Sequence, residues 1–364
     1  MLETNCMRFF VLAWLALVAS SVHAQSIQKP DTAENFRGLS APRGKVVWAS
    51  GTHGTYAKTV DGGLHWKVAQ VPNASSLDFR DVEAFNTELA YLLAAGPGEQ
   101  SRIYKTNNGG AAWDLQFTNH EPKGFFDCMG FWDRDHGIAV GDPVNGRFQL
   151  ITTVNGGKDW TYISSESLPP AIAGEGGFAA SGTCLVTQGK KNVWFATGGT
   201  AARVFHSSDQ GISWTVAEVQ IAHKKASEGI FSLMFRDARN GIAVGGDYAL
   251  PKSAANNIAL TNDGGITWTM AAAENSIYLS SVGYLNKRQL VAVGTDGLMY
   301  SDDGGKRWRV AGGEGFNALA IATCDSEPCY LAAGTDGRIK RFWTVAKGDA
   351  SNRTEPTLKV GMLR

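Results

Sequence analysis

Residues 59–66 read TVDGGLHW, and the same pattern returns five more times along the chain. Each copy has Ser or Thr first, Asp or Asn third, Gly fifth and Trp eighth. Consecutive tryptophans lie 40 to 54 residues apart, which is close to the length of one four-stranded propeller blade. The pattern therefore predicts a repeat of β-sheet blades, with tryptophans at Trp66, Trp113, Trp160, Trp214, Trp268 and Trp308.

The residue types of this motif suit a tight turn between two strands. Its Ser or Thr and its Asp or Asn can hydrogen-bond nearby backbone amides, and its fifth-position glycine accepts a backbone angle that other residues resist. The tryptophan offers a large apolar surface for packing against the next blade. Two copies carry Asn108 and Asn155 in place of Asp, and Asn serves less readily as a hard-cation ligand. The motif thus predicts a structural turn and no metal site.

A second repeated feature is a short apolar run that includes or ends in glycine. The runs are rich in Val, Ala and aromatic residues and are bounded by Gly and Asp, as strands are. The last one, at Tyr330–Gly334, has no turn motif after it, so it marks a seventh blade. We predict an all-β fold, a seven-bladed β-propeller of four-stranded antiparallel blades in which the motif turn joins strands three and four. The runs are VVWASG, AYLLAAG, GIAVGD, VWFATG, GIAVGG, LVAVG and YLAAG.

The first residues have the composition of a secretory signal peptide. Arg8 precedes the apolar run Phe9–Val18, which is too short to span a membrane, and the segment ends at Ala24 before Gln25. We therefore expect a secreted or periplasmic protein that is not inserted into the membrane after cleavage. The predicted division is a signal peptide at 1–24, the propeller at 25–345 and a C-terminal tail at 346–364.

One propeller accounts for the whole chain after the signal peptide. About 340 residues remain after residue 24, which is roughly 49 for each of seven blades. Because the seventh blade lacks its turn motif, we expect ring closure to draw on Ser26–Thr32, pairing into that blade.

Charge and cysteine content limit the kinds of ligand. Lys plus Arg and Asp plus Glu both number 34, so net charge gives no reason to expect nucleic acid as a partner. Four cysteines follow the signal peptide, an even number that permits disulfides in an exported protein. Cys324 and Cys329 flank a short loop and are the predicted disulfide, whereas a bridge between Cys128 and Cys184 stays open. No zinc, nucleotide or haem motif is present, so no cofactor is predicted.

The loops of one propeller face are the expected place for a site. Blade-to-blade connections and the loops between strands two and three share this face, here called the connection face; the motif turns lie on the opposite, turn face. The two longest insertions, 164–177 and 247–257, both belong to the connection face. The innermost strands align on an apolar residue followed by a variable one, which period-two alternation directs toward the axis. The resulting candidate ligand-binding residues are Arg37, Arg80, Asp127, Ser232, Ser280 and Asn317.

Two interpretations of these residues remain open. They line a structural channel, filled with water or ion pairs, or they form a polar pocket for an acidic ligand or peptide carboxylate. In the second case Arg37 and Arg80 are the anion-binding pair. Glu175 and His223 lie on loops of the same face and are expected to be exposed.

The repeated motif resembles the Asp-box, or bacterial neuraminidase repeat, and its copies cover most of the chain. This resemblance implies a fold more than a function, because sialidases, sorting receptors and non-enzymatic propellers all carry it. With seven blades, a signal peptide and units such as GTDGLMYSDDGGKRW at 294–308, the chain is most similar to the photosystem II stability/assembly factor family. The resemblance implies an exported, non-enzymatic scaffold for a protein partner such as a membrane-protein segment. Arg37 and Arg80 would stand for that family's arginine-rich patch.

The alternative is a sialidase-like glycoside hydrolase. That chemistry needs three arginines around a carboxylate, a Tyr nucleophile activated by Glu, and an Asp acid/base. Phe36-Arg37 before the first motif is similar to a sialidase start, but Gly38-Leu39 replaces the expected Ile-Pro. Tyr284 and Glu314 are the residues that could be nominated as nucleophile and base.

Overall fold

The repeat units fold as seven antiparallel β-sheets, one for each predicted blade. The computed structural model describes residues 30–252, 256–273, 275–344 and 358–360. The prediction of an all-β, seven-bladed propeller with four-stranded blades is confirmed. The predicted signal peptide at 1–24 lies outside the described residues.

The first three blades each use four consecutive strands, from innermost to outermost. A short 3₁₀ turn, Gly98–Gln100, lies inside blade two, and another, Ser165–Ser167, follows blade three. The strands are β1 Phe36–Arg43, β2 Val46–Gly51, β3 Thr55–Thr59, β4 Lys67–Gln70, β5 Phe79–Ala84, β6 Ala90–Ala94, β7 Arg102–Thr106, β8 Asp114–Thr118, β9 Phe126–Phe131, β10 Gly137–Val144, β11 Arg147–Thr153 and β12 Thr161–Tyr162.

Blades four and five share short connecting strands. Blade four consists of β14, β15, β17 and β18, and blade five of β19 to β22, with β13 and β16 added at the inner edge of blade five. The bounds are β13 Glu175–Gly176, β14 Leu185–Gln188, β15 Asn192–Ala196, β16 Gly198–Gly199, β17 Arg203–Ser207, β18 Thr215–Glu218, β19 Glu228–Phe235, β20 Gly241–Asp247, β21 Ile258–Thr261 and β22 Thr269–Met270.

Blades six and seven complete the ring. After blade five, β23 pairs in parallel with the outermost strand of blade six, β27. Blade six is β24 to β27 and blade seven is β28 to β31. The bounds are β23 Ala272–Ala273, β24 Ser281–Tyr284, β25 Leu290–Gly294, β26 Gly297–Ser301, β27 Arg307–Gly312, β28 Ala318–Cys324, β29 Glu327–Ala333, β30 Ile339–Thr344 and β31 Leu358–Val360.

The motif turns join the third and fourth strands because their side chains satisfy the turn's backbone. In blade one, Thr59 Oγ1 accepts the Gly63 N–H at 3.0 Å, and Asp61 Oδ1 accepts the Leu64 and His65 N–H groups at 3.0 Å each. Gly63 has φ +85°, and a Cβ there would lie 2.9 Å from the Leu331 side chain of blade seven. Glycine is therefore required both for the turn and for the contact between blades.

Ring closure joins blade one to blade seven directly. The Phe36 N–H donates to the Gly334 carbonyl at 3.0 Å, and the Asn317 amide donates to the Phe36 carbonyl at 2.9 Å. Apolar side chains of both blades, including Phe36 and Leu331, form one buried cluster. The first and last blades are thus packed together as the others are.

The outer edge of blade seven differs from the expectation for Ser26–Thr32. Its fourth strand is β31, so it comes from the segment predicted as a C-terminal tail. Residues 26–29 lie outside the described residues, and Pro30–Thr32 form no strand. The physical reason is the path of the chain. Residues 33–35 lead straight into the innermost strand, and the Glu34 carbonyl accepts the Gly337 N–H at 2.8 Å. The entering segment therefore meets a connection-face loop of blade seven and not its outer edge.

Two disulfides are present among the described residues. Cys324 and Cys329 are joined across the turn between β28 and β29, with Cα atoms 5.7 Å apart. Cys128 and Cys184, left open by the sequence, are also joined, with Cα atoms 6.0 Å apart. The second bridge links the innermost parts of blades three and four.

Candidate functional site

The inner strand ends converge on one cavity at the connection face. Its volume is about 420 Å³. Ser232 is the candidate that does not line this cavity, and Ala179 at the equivalent position of blade four does. The candidate residues that line it are Arg37, Arg80, Asp127, Ser280 and Asn317.

Arg37 and Arg80 place two guanidinium groups on neighbouring blades. Arg80 is held in position: its Nε donates to Asp78 at 2.6 Å and its Nη1 donates to the Ala179 carbonyl at 3.0 Å. Arg37 is less well satisfied, since its buried Nε has no hydrogen-bond partner among the described residues. Burial, and then the nearby Arg80 charge, lower the pKa of Arg37. An anion in the cavity would relieve both effects.

Asp127 brings a carboxyl group to the same cavity from β9. Its side chain is almost completely buried, at 2% exposure, and Oδ2 has no hydrogen-bond partner in the described part of the chain. Burial, followed by repulsion from Asp142, raises the pKa of Asp127 well above its usual value, although Arg80 acts against this rise. Asp142 also lines the cavity, and its Oδ1 accepts the Gly177 N–H at 2.8 Å.

Aromatic side chains form an apolar wall of the cavity, which we call the aromatic wall: Phe178, Phe231, Tyr248 and Tyr278. Phe178 stacks on Phe231 with ring centroids 3.9 Å apart, and Tyr278 meets Phe231 edge-on at 4.8 Å. Tyr248 packs edge-on against both phenylalanines and is 51% exposed. The site therefore combines a cationic side with an apolar side. The arrangement suits a ligand that has a carboxylate and an apolar group.

The aromatic wall is less evident in the sequence than the two arginines are. Tyr248 lies in the insertion 247–257, which was singled out as a connection-face loop. Tyr278 directly precedes Leu279, the apolar residue used to align blade six. Phe178 and Phe231 occupy the apolar position of that alignment in blades four and five, and they line the cavity as well.

Ser232, Ser280 and Asn317 hold the inner strands together. Ser232 Oγ accepts the Thr183 hydroxyl at 2.7 Å and the Val282 N–H at 3.2 Å, so it links three blades. The Ser280 hydroxyl donates to the Asn317 carbonyl at 2.7 Å. These polar groups are largely used in backbone contacts between blades, which leaves the arginines and Asp127 as the chemically distinctive groups of the cavity.

Glu175 and His223 are both less exposed than expected. The expectation that Glu175 is exposed is wrong: it is buried and forms an ion pair with Arg203. Thr197 Oγ1 also donates to Glu175 Oε1 at 2.6 Å, and these partners compensate for its lost hydration. His223 is partly buried, with Nδ1 2.7 Å from the Ile221 carbonyl.

Asp81 and Glu83 form a second acidic feature on innermost strand β5. Asp81 Oδ2 accepts the Met129 N–H of blade three at 2.7 Å. Burial raises the pKa of Asp81 to about 7, although the Met129 and Val82 N–H groups oppose the change. Burial and the Asp81 charge also raise the pKa of Glu83 well above its usual value.

These raised pKa values predict a stability loss as pH rises. For Asp81, the folded state keeps a proton that the unfolded chain releases near pH 4, so its penalty is absent below about pH 4 and complete above about pH 7. We expect Asp81→Asn to flatten the decrease in the free energy of unfolding between pH 5 and 8, measured by urea denaturation. The exposed Asp336→Asn is the control; equal pH slopes for the wild type and Asp81→Asn would contradict the assignment.

The residues nominated for a glycosidase do not meet. Tyr284 ends β24 beside the turn face, where it lines a separate groove together with Asp303. Glu314 lies at the connection face and contacts Lys340. The two side chains therefore lie at opposite faces of the propeller, and they do not form a Tyr–Glu nucleophile pair.

Two further observations concern metals and membranes. Within the described ranges, no group of three or more His, Cys, Asp and Glu side chains is placed to hold a metal ion. No helix among those residues is long and apolar enough to cross a membrane.

Several solved structures are similar to this chain, while no protein-family model and no curated protein matches it. A structure described as YCF48 bound to D1 peptide has a TM-score of 0.62 and 16% identity, covering 88% of this chain and 96% of that chain. YCF48 from Cyanidioschyzon merolae has a TM-score of 0.60 and 18% identity, covering 86% and 96%. The Pan2 WD40 domain of Neurospora crassa has a TM-score of 0.56 and 10% identity, covering 85% and 89%. At these identities the likeness establishes a shared β-propeller fold.

Proposed function

We propose that the protein is an exported, non-enzymatic binding scaffold that holds a segment of a partner protein at the connection-face cavity. The observation that carries the proposal is the pairing of Arg37 and Arg80 with the aromatic wall. Two guanidinium groups suit a carboxylate, and the rings suit an apolar side chain next to it. The segment is then one with an acidic side chain or a free carboxyl terminus beside a bulky apolar residue.

The similarity to YCF48 supports a peptide as the occupant. One of the similar solved structures is described as holding a D1 peptide, so a propeller of this shape has been seen with a peptide ligand. A photosystem II assembly factor-like role, with a membrane-protein segment as partner, is the form of the proposal that follows this similarity. Export to the periplasm or beyond is part of the proposal and rests on residues 1–24.

The proposal predicts that a small carboxylate probe binds the cavity. N-acetyl-L-phenylalanine carries one carboxylate and one aromatic ring, and its amide lacks the charge. Charge-assisted hydrogen bonds contribute about 1.5–3 kcal/mol, so we expect Arg37→Ala plus Arg80→Ala to weaken probe binding by roughly 10- to 100-fold. Isothermal titration calorimetry measures this, and the amide should bind as weakly as the double variant binds the acid.

The matched control is Arg309→Ala, which removes an exposed arginine from the outer strand of blade six. It should leave probe affinity unchanged. Unaltered affinity in the Arg37/Arg80 double variant would contradict the proposed site. Hydrolysis of a fluorogenic sialoside, lost in Arg37→Ala, would instead support the glycosidase alternative.

A further inference from the structure

Two carboxyl groups share one wall of the cavity without an ion-pair partner. Asp127 on β9 and Asp142 on β10 both line it, and neither lies within salt-bridge distance of a basic side chain in the described part of the chain. Asp142 accepts the Gly177 N–H, and Asp127 accepts the Ala179 N–H. Asp127 Oδ2 is buried and has no hydrogen-bond partner among the described residues, and Asp127 lines the cavity.

Gly177 closely covers Asp127 Oδ2 on one side. A Cβ on Gly177 would lie 2.5 Å from Asp127 Oδ2. A charged oxygen in this position would lack both water and a donor, and it would repel the neighbouring Asp142. A proton on Oδ2 removes the charge and turns the acceptor into an O–H donor.

We propose that Asp127 takes part in ligand binding as a neutral carboxylic acid whose Oδ2–H donates to an oxygen of the bound carboxylate. Arg37, Arg80 and Asp127 then form one proton-linked anion site. This inference rests on the proposed function, since it describes how the same cavity holds the carboxylate. The affinity for the anionic ligand then depends on the protonation of Asp127, and therefore on pH.

The charged neighbours determine the direction of the pH effect. Arg80 faces Asp127 from blade two and favours its ionised form, while Asp142 opposes it; Arg37 of blade one lines the same cavity. Tyr248 and Tyr278 also line the cavity. Burial raises the pKa of Asp127 and, to a lesser extent, the pKa of Asp142. As pH rises, Asp127 loses its proton, its charge repels the bound carboxylate, and the ligand is released.

The test measures binding of N-acetyl-L-phenylalanine from pH 5 to pH 8, where the probe's own carboxylate stays ionised. For the wild type we expect affinity to decrease by at least tenfold across this range. Asp127→Asn keeps a neutral donor of the same shape, so its affinity should match the wild type within about threefold at pH 5 and stay constant up to pH 8. Asp127→Leu lacks the donor and should bind about tenfold more weakly at pH 5.

A measurement on the wild type alone guards against variants that fold poorly. Calorimetric titrations in two buffers with different ionisation enthalpies count the protons taken up on binding. Net uptake between pH 6 and 8 is expected, and zero uptake would overturn the inference. Asp142→Asn and Asp81→Asn should each retain a pH slope, because neither removes the Oδ2–H of Asp127.

The outcomes separate this inference from the proposed function. If Asp127→Asn retains the wild-type pH slope, or tightens binding equally at every pH, the carboxyl is not a neutral donor and the inference is wrong. Probe binding that depends on Arg37 and Arg80 would survive that result and keep the proposed function. If the probe does not bind the wild type at all, the cavity is not a carboxylate site and both fail.

Discussion

Replacing Arg203 with Met should lower the free energy of unfolding by about 3–5 kcal/mol, because the change leaves the carboxylate of Glu175 buried without its partner. Glu175 has a completely buried side chain, and Arg203 Nε donates to its Oε1 at 2.8 Å. Arg203 Nη2 donates to the second oxygen and, at 2.9 Å, to the Pro170 carbonyl. The arginine therefore balances the charge of Glu175, and it also holds the insertion 164–177 in place through the Pro170 carbonyl.

Urea denaturation of three variants separates the charge from the packing. Adding Glu175→Gln to Arg203→Met removes the stranded charge, so the double variant should be more stable than Arg203→Met alone. Lys252→Met breaks the contact of the largely exposed Lys252 with Asp296 and should leave the denaturation midpoint nearly unchanged. An Arg203→Met protein as stable as the wild type would contradict this account of the ion pair.

This ion pair connects stability to the cavity. Gly177 and Phe178 lie two and three residues after Glu175 and both line the cavity, and the Ile172 N–H donates to Glu175 Oε2 at 2.9 Å. Glu175 thus holds the loop that positions one half of the stacked Phe178–Phe231 pair. We expect Arg203→Met to weaken probe binding even at temperatures where the variant is still folded.

The fold could be predicted from the sequence because its determinants are local and repeated. A turn such as Thr59–Trp66 contains its own hydrogen-bonding side chains and its own glycines, so its structure follows from eight neighbouring residues. Because each blade contains one apolar run, the seven runs give the number of blades even where the motif is missing. The alignment also identifies Arg37, Arg80 and Asp127, because each directly follows a fully buried phenylalanine with which an innermost strand begins.

The rest of the site depends on segments that do not repeat. In blade four the innermost strand begins at Leu185, so Phe178 and Ala179 belong to an irregular connection and not to a strand. Their positions follow from the Arg203–Glu175 pair and from the stacking on Phe231. Contacts between two separate insertions have no local signal in a sequence. This is the physical reason that the aromatic wall and the burial of Glu175 were missed.

Trp194→Ala is the second large effect we expect, a loss of about 3–5 kcal/mol in the free energy of unfolding. Trp194 lies on β15 outside the repeated motif and is completely buried. Its ring stacks on Phe235 at 3.8 Å and on His206 at 4.5 Å, and Nε1 donates to the Gly264 carbonyl in the motif turn of blade five at 2.8 Å. Its removal opens a cavity between blades four and five and leaves that carbonyl without its donor.

Two variants and a titration test this account of Trp194. Trp194→Phe keeps the stacked ring but not the hydrogen bond, so it should cost less than Trp194→Ala. Trp66→Ala removes a motif tryptophan that is partly exposed and whose Nε1 has no partner in the described residues, so it should cost less than Trp194→Ala too. Burial lowers the pKa of His206, and an NMR titration should show that pKa rising toward its ordinary value in Trp194→Ala. If Trp66→Ala were the more destabilising change, the repeated tryptophans would be the main anchors between blades. The buried contacts of Trp194 argue that the motif mainly shapes the turns, while a tryptophan outside it anchors this pair of blades.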